Sequence, residues 1–223
     1  FRPGYGVQGR ELIQLQTILQ KQSSRVGDHI FKDGSAVIGG EVTLDTQISY
    51  LKLSSADTAS TFDGTVIKDS TGLVRAQVVT VDAAVGTDPP TLYIKFLSGT
   101  TFTAGSTITI DGTSTTGTAA ATNNIGSASI TSINRGVFFV NGFFVLCLPQ
   151  TLVLEKYLNT PTYRVGLTTT EAIVDSTTDS TLLDPSTGTT NANAPGATRF
   201  KITLTLAKKT TTSTDPVVAN ADS

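Results

Sequence analysis

The chain has 223 residues, a formal net charge of −2 and a pI near 5.3. Only 15% of its residues are charged, against about 25% in ordinary soluble domains. So sparse and balanced a charge gives no general attraction for a phosphate backbone, which argues against nucleic-acid partners and leaves surface for other protein chains. The single cysteine, Cys147, excludes an intrachain disulfide and is consistent with assembly in a reducing cytoplasm. No apolar run reaches the roughly 18 residues of a membrane span, so no membrane partner is expected.

The sequence contains no Met and starts at Phe1. The expectation is therefore a processed product or the ordered part of a longer chain, with no signal peptide in view. Thr dominates the polar residues, and as a β-branched residue it suits a pleated, half-wet surface. Strand-length apolar runs recur between glycines, which points to a mainly β chain and not to disorder.

After a turn-rich start, RELIQLQTILQKQSSRVG carries helical signals. Leu12, Leu15, Ile18, Leu19 and Val26 recur at helical spacing and form a narrow stripe. Gly27 reads as the C-terminal stop. Leu12, Leu15, Leu19, Gln22 and Val26 fit a heptad a/d register with Gln at one d position. So narrow a stripe needs a partner, either the β body or copies of the same helix.

In residues 30–53, Asp33-Gly34 and Gly39-Gly40 are turn signals, and EVTLDTQISYLKL alternates as one half-buried strand. Residues 55–133 differ in texture. Short strands are separated by turns at Asp69 to Gly72, around Asp88-Pro89-Pro90 and at Asp111-Gly112. They predict a small barrel-like β-domain inserted in a larger fold. TSTTGTAAATNNIG reads as a low-complexity loop with little to bury.

GVFFVNGFFVLCL holds two apolar strands around Asn141-Gly142, the preferred type I′ hairpin turn. Both faces are apolar, so Phe138, Phe139, Phe143 and Phe144 need cover from a sheet or another subunit. TLVLEKYL and PTYRVGLTTTEAIVD continue as strands, and a long loop leads to FKITLTLAK, a regularly alternating last strand. Pro195-Gly196 fits a type II turn with Gly at positive φ. Arg199 follows it and is a candidate bidentate anchor at a subunit contact.

Residues suited to catalysis are few. His29 is the only histidine and is read as a partly buried side chain near a helix end; His29 and Asp33 are a weak ligand pair. Cys147, inside FFVLCLP, reads as a small core residue. Any two of Glu11, Glu41, Glu155, Glu171 and the aspartates could meet in space as an acid pair, but there is no Trp for a sugar-stacking cleft. No catalytic, cofactor-binding or metal residue is assigned, and no cofactor is expected.

Two segments resemble a phage tail-protein family that carries a domain-of-unknown-function label. Phe1, Arg2, Gly4, Gln8, Glu11, Leu12, Leu15 and Gln16 match an FR-x-G…Q-x-x-E-L-x-x-L-Q pattern. Arg25, Val26, Gly27, Asp28, Ile30, Phe31, Asp33 and Gly34 match its G-D-x-x-F-x-D-G continuation. Near the other end, VGLTTTEAIV…LLDPSTGTTNANAPGATRFKI resembles the family's A-P-G-A-x-R segment, with Ser186 where Ala is expected. Residues 55–133 carry little of the likeness. The resemblance implies a tail-fibre or baseplate component, commonly trimeric, with no catalytic residues to carry over.

The reading is a mainly β chain: an N-terminal α-helix, then an antiparallel β-sandwich or barrel body with an inserted small β-domain. Residues 1–35 form the helical segment, 36–54 and 134–209 the main β-domain, 55–133 the insert, and 210–223 a linker onward. The expected role is non-enzymatic: a virion protein of a phage tail, assembled in the bacterial host cytoplasm. Its partners would be itself, as a homotrimer, and other tail or baseplate proteins. The interface candidates are Leu12, Leu15, Leu19, Val26, Phe138, Phe139, Phe143, Phe144 and Arg199. The alternative is a receptor-binding adhesin for a host-surface glycan.

Overall fold

The structure is a computed structural model that describes residues 6–211. Phe1, Arg2 and Gly4 of the N-terminal pattern and nearly all of the expected linker lie outside the described residues. Within them the chain is mainly β, with one α-helix, α1 (Gly9–Ile30). It packs as two units. One is built from the chain up to Glu41, Ile133–Gln150 and the chain from Arg164 onward. The other is built from Val42–Ser132 and Thr151–Tyr163.

In the first unit, α1 is joined by β1 (Ala36–Gly39). In the second, the chain forms β2 (Val42–Asp45), β3 (Ser49–Lys52), β4 (Val66–Asp69), β5 (Arg75–Asp82) and β6 (Thr91–Ser98). It continues with β7 (Thr107–Ile110), β8 (Thr116–Thr118), β9 (Ile125–Ser127) and β10 (Ser129–Ile133). The hairpin β11 (Gly136–Val140) and β12 (Phe143–Cys147) returns to the first unit, and β13 (Gln150–Glu155) goes back to the second. β14 (Tyr163–Val174) and β15 (Arg199–Thr210) close the chain.

A seven-stranded antiparallel sheet, ordered β8-β7-β4-β5-β6-β3-β9, curls into a half-barrel in the second unit. Its inner face carries Leu51, Ile67, Leu92, Ile94 and Ile108, packed with Phe62 of a short 3-10 turn, none more than 2% exposed. Full burial of one such side chain contributes about 1.5–3 kcal/mol. A second sheet, β13-β10-β2, closes over a smaller cluster of Ile48, Tyr93, Ala128 and Ile130.

The expected single strand over EVTLDTQISYLKL is broken in two. The Asp45 carboxylate accepts the Gln47 backbone N–H at 2.9 Å, an Asx turn that ends β2 and lets β3 start in a different sheet. Residues 42–53, grouped by sequence with the larger body, thus pair with the 55–133 segment through β6 and β9. The TSTTGTAAATNNIG segment is also not a plain loop. It forms the edge strands β8 and β9, with Gly117 against the Phe62 ring and Asn124 Nδ2 donating to Phe102 O at 2.9 Å.

The first unit holds the sheet β1-β11-β12 and the ribbon β14-β15. Asn141 and Gly142 both have positive φ, 50° and 80°, as a type I′ turn requires. The Gln150 side chain acts as a spare peptide group: its amide donates to Leu204 O at 2.9 Å and accepts from Leu206 N at 2.8 Å.

Two glycines differ from expectation. The helix does not stop at Gly27 but runs on to Ile30, and Gly27 is its one buried residue. A Cβ there would overlap the Phe139 ring, so this glycine permits close approach of helix and hairpin and does not end the helix. Gly196 is not among the positive-φ glycines; Asn193 takes that conformation instead, at φ 58°. The Gly196 N–H donates to Leu182 O at 2.8 Å, and a Cβ on Gly196 would lie 2.5 Å from that oxygen, so closeness again selects glycine.

Candidate interaction surface

The four helix candidates point outward. Leu12, Leu15, Leu19 and Val26 are 56%, 44%, 57% and 58% exposed. Glu11 caps the helix start, its carboxylate accepting the Gln8 backbone N–H at 2.9 Å. The helix touches its own unit with other residues. Gly27 meets Phe139, and Ser24 meets Gly142 at the hairpin tip.

The hairpin candidates divide. Phe138 and Phe139 are buried within the chain, at 8% and 1% exposure, so they are corrected from interface to core. Phe139 packs against Phe31 (centroids 6.0 Å apart) and Phe144 (5.2 Å). The physical reason is that β11 is the middle strand of its sheet and α1 covers one face of it. β12 is the edge: Val145 and Cys147 turn in, while Phe144, Leu146 and Leu148 stay 44–60% exposed. Phe143 is half-buried and packs on Phe200 of β15 at 5.7 Å.

These residues share a groove of about 610 Å³. Phe143, Phe144 and Phe200 line it, with Gln16 and Gln20 of α1 on one side and Arg199 on the other. Arg199 is exposed and also borders a neighbouring hollow of about 490 Å³ with Asp179 and Leu182. The Asp179 carboxyl is held below its ordinary range, chiefly by the Thr181 hydroxyl and with help from the charges of Arg199 and Lys201. Sequence reading missed Gln16, Gln20 and Phe200 as members of this surface. The FKITLTLAK alternation assigns Phe200 inward, whereas it is 50% exposed.

Three of the remaining polar candidates pair within the fold. Asp33 accepts the Asn141 backbone N–H at 2.6 Å and Glu171 accepts the Asn141 side-chain amide at 2.7 Å, which locks the hairpin turn. Glu155 accepts from the Tyr163 hydroxyl at 2.9 Å. His29 is exposed in the last helical turn and not partly buried as expected. Burial pushes the Cys147 thiol up, against the opposing pull of its hydrogen bond from Gln150. Among the described residues no group of three His, Cys, Asp or Glu side chains stands where it could hold a metal ion, and no helix is long and apolar enough to cross a membrane.

A polar clasp in the second unit carried no recognised motif. Lys156 Nζ lies 3.0 Å from Asp82 and 3.3 Å from Asp88. The Tyr93 hydroxyl donates to Asp82 at 2.9 Å, the Tyr157 hydroxyl donates to Asp88, and Lys52 sits 3.9 Å above the Tyr157 ring. The Tyr157 hydroxyl, and after it Lys156, holds Asp88 below the ordinary carboxylate range. Burial favours the neutral amine of Lys156, but the hydrogen bonds and charges of Asp82 and Asp88 outweigh it and raise its pKa. Burial, and then Asp82, raises Tyr93 well above the ordinary phenol range. The only sequence signal was a Glu-Lys-Tyr run where the TLVLEKYL alternation ends.

The model of a family described as a domain of unknown function, DUF4815, matches residues 96–220, more than half of the chain. The chain belongs to the DUF4815 family. The DUF4815 match takes in the β11–β12 hairpin, the Lys156–Tyr157 arm of the clasp, the A-P-G-A-x-R segment and Arg199. It begins inside β6, so it also covers part of the segment in which the sequence likeness is weakest, and it leaves out α1. No curated protein and no solved structure matches this DUF4815 chain.

Proposed function

We propose that the chain is a structural component of a bacteriophage tail, a tail-fibre or baseplate protein in a fibre-attachment role, that works without catalysis. It acts by associating with copies of itself, as a homotrimer, and with neighbouring virion proteins, after assembly in the host cytoplasm. The observation that carries this reading is the outward leucine stripe of α1. A stripe of this kind on a 22-residue helix is costly to leave in water. The likeness of the two chain-end segments to phage tail proteins supports the same reading.

Covering the exposed half of Leu12, Leu15, Leu19 and Val26 gains about 1 kcal/mol per side chain. Association costs about 4–15 kcal/mol in lost freedom. The stripe alone therefore makes a weak association, and a stable homotrimer has to draw on further contacts beside it. Light scattering at micromolar concentration tests this. The expected mass is three times the 23.3 kDa protomer. A monomer would count heavily against the reading, and a monomer that binds a host glycan on an array would favour the adhesin instead.

A further inference from the structure

We propose that α1 is the self-association seam, that its copies run parallel and in register, and that Gln22 sets that register. The proposal rests on the self-assembly reading above and adds which face meets which, and in what direction.

The first observation is how α1 sits on its own unit. It packs through Gly27 on Phe139 and Ser24 on Gly142, and it lines the groove with Gln16 and Gln20. At about 100° per residue, this small and polar stripe lies roughly 115° around the helix from the Leu12–Val26 stripe. A helix that used its apolar face for its own protomer would turn leucines to the body. α1 turns glutamine, serine and glycine there, and its leucines face away.

The second observation is what the outward stripe can cover. Spacings of three and four put Leu12, Leu19 and Val26 at a positions and Leu15 and Gln22 at d positions, a self-complementary seam. The charges stay off its Leu12–Val26 stretch: Arg10, Lys21 and Asp28 fall at c and f positions, Glu11 and Arg25 flank it, and His29 takes the d position beyond Val26. Ile18, 46% exposed beside the seam, widens it beyond a two-helix contact. The occupant that matches an uncharged a/d stripe of this length is the same stripe on a second copy.

Direction follows from Gln22. In an antiparallel pair Gln22 would face Leu12 of the other copy, with its amide buried and unmatched, although Glu11 would approach Arg25. In a parallel, in-register pair Gln22 meets Gln22, and the amides hydrogen-bond to each other. An unmatched buried amide costs more than an exposed ion pair returns, so parallel wins. A threefold ring about the seam, the assembly proposed above, also requires parallel copies.

The test uses the whole chain. Gln22→Cys places one thiol per copy in the seam, and mild oxidation should convert most of the chain to a disulfide-linked pair on a non-reducing gel. The unsubstituted chain, whose Cys147 is only 1% exposed, should give none. Leu15→Lys should weaken association by about a hundredfold or more while circular dichroism is unchanged. If that variant does not fold, Leu15→Gln replaces it, and the cysteine cross-link reads the seam independently. A stable oligomer in which Gln22→Cys does not cross-link and Leu15→Lys leaves the mass intact would overturn the seam and leave the self-assembly reading standing. An oligomer in which Gln22→Cys links to Leu12→Cys but not to itself would overturn the parallel direction. A monomeric unsubstituted chain would remove both readings.

Discussion

Replacing Gly27 with alanine sets two effects of opposite sign against each other. In a helix interior alanine is worth about 0.5–1 kcal/mol over glycine. Here the added Cβ would overlap the Phe139 ring, and overpacking of that kind costs about 1–3 kcal/mol. A net loss of stability is expected, read as a lower melting temperature by circular dichroism; a rise would mean the ring moves freely aside. The clasp sets a second expectation. Asp88 titrates lower folded than unfolded, so the unfolded chain takes up protons first as the pH falls. Its contribution is complete above the ordinary carboxyl range and is lost below about pH 4. Lys156 is raised, so its contribution is complete below its ordinary value and is lost above about pH 10. Tyr157→Phe removes the main cause of the Asp88 shift. It should lower the urea midpoint at pH 7 and make the fall below pH 4 shallower; an unchanged acid limb would remove Asp88 from the account. Neither site could be read from sequence. Glycine after an amphipathic stretch looks the same whether it ends a helix or admits a ring, and the clasp joins Asp82 and Asp88 to Lys156, which lies 68 positions beyond Asp88.

Among the elements, the hairpin was the most readable, because the Asn141-Gly142 turn is specified by backbone conformation. Gly142→Ala should cost about 1 kcal/mol or more, from the positive φ and from contact with Ser24, with urea denaturation as the measure. A neutral result would show that the turn relaxes to another type. The cover on the hairpin was less readable. Alternation assigns two faces to each strand but does not say which neighbour is an edge, so Phe138 and Phe139 were expected at a subunit contact and lie in the core. Short elements with little apolar content were missed for a related reason. β8 and β9 are held by backbone pairing to β7 and β3, and with Ile125 as their one large apolar residue they carry no periodic signal. The break between β2 and β3 depends on one Asp45 side chain in an otherwise regular alternation.

For the whole molecule, the mainly β fold class followed from composition and turn spacing, but the division of the chain between its two units did not. The second unit takes Thr151–Tyr163 from beyond the hairpin. These residues supply β13 to the sheet with β10 and Lys156 and Tyr157 to the clasp. A fragment of residues 42–132 should therefore be markedly less stable than the same fragment joined by a short linker to residues 151–163. Equal melting temperatures for the two would mean that the returning segment is dispensable.

Both outer portions of the chain, up to Glu41 and from Arg164 onward, belong to one unit. Tension applied between them would run through the helix, the hairpin sheet and the β14–β15 ribbon. While the contacts within that unit hold, the half-barrel, through which the chain passes twice between Glu41 and Arg164, is shielded from the pull; loosening the contact at Gly27 or at Gln150 would pass load on to it.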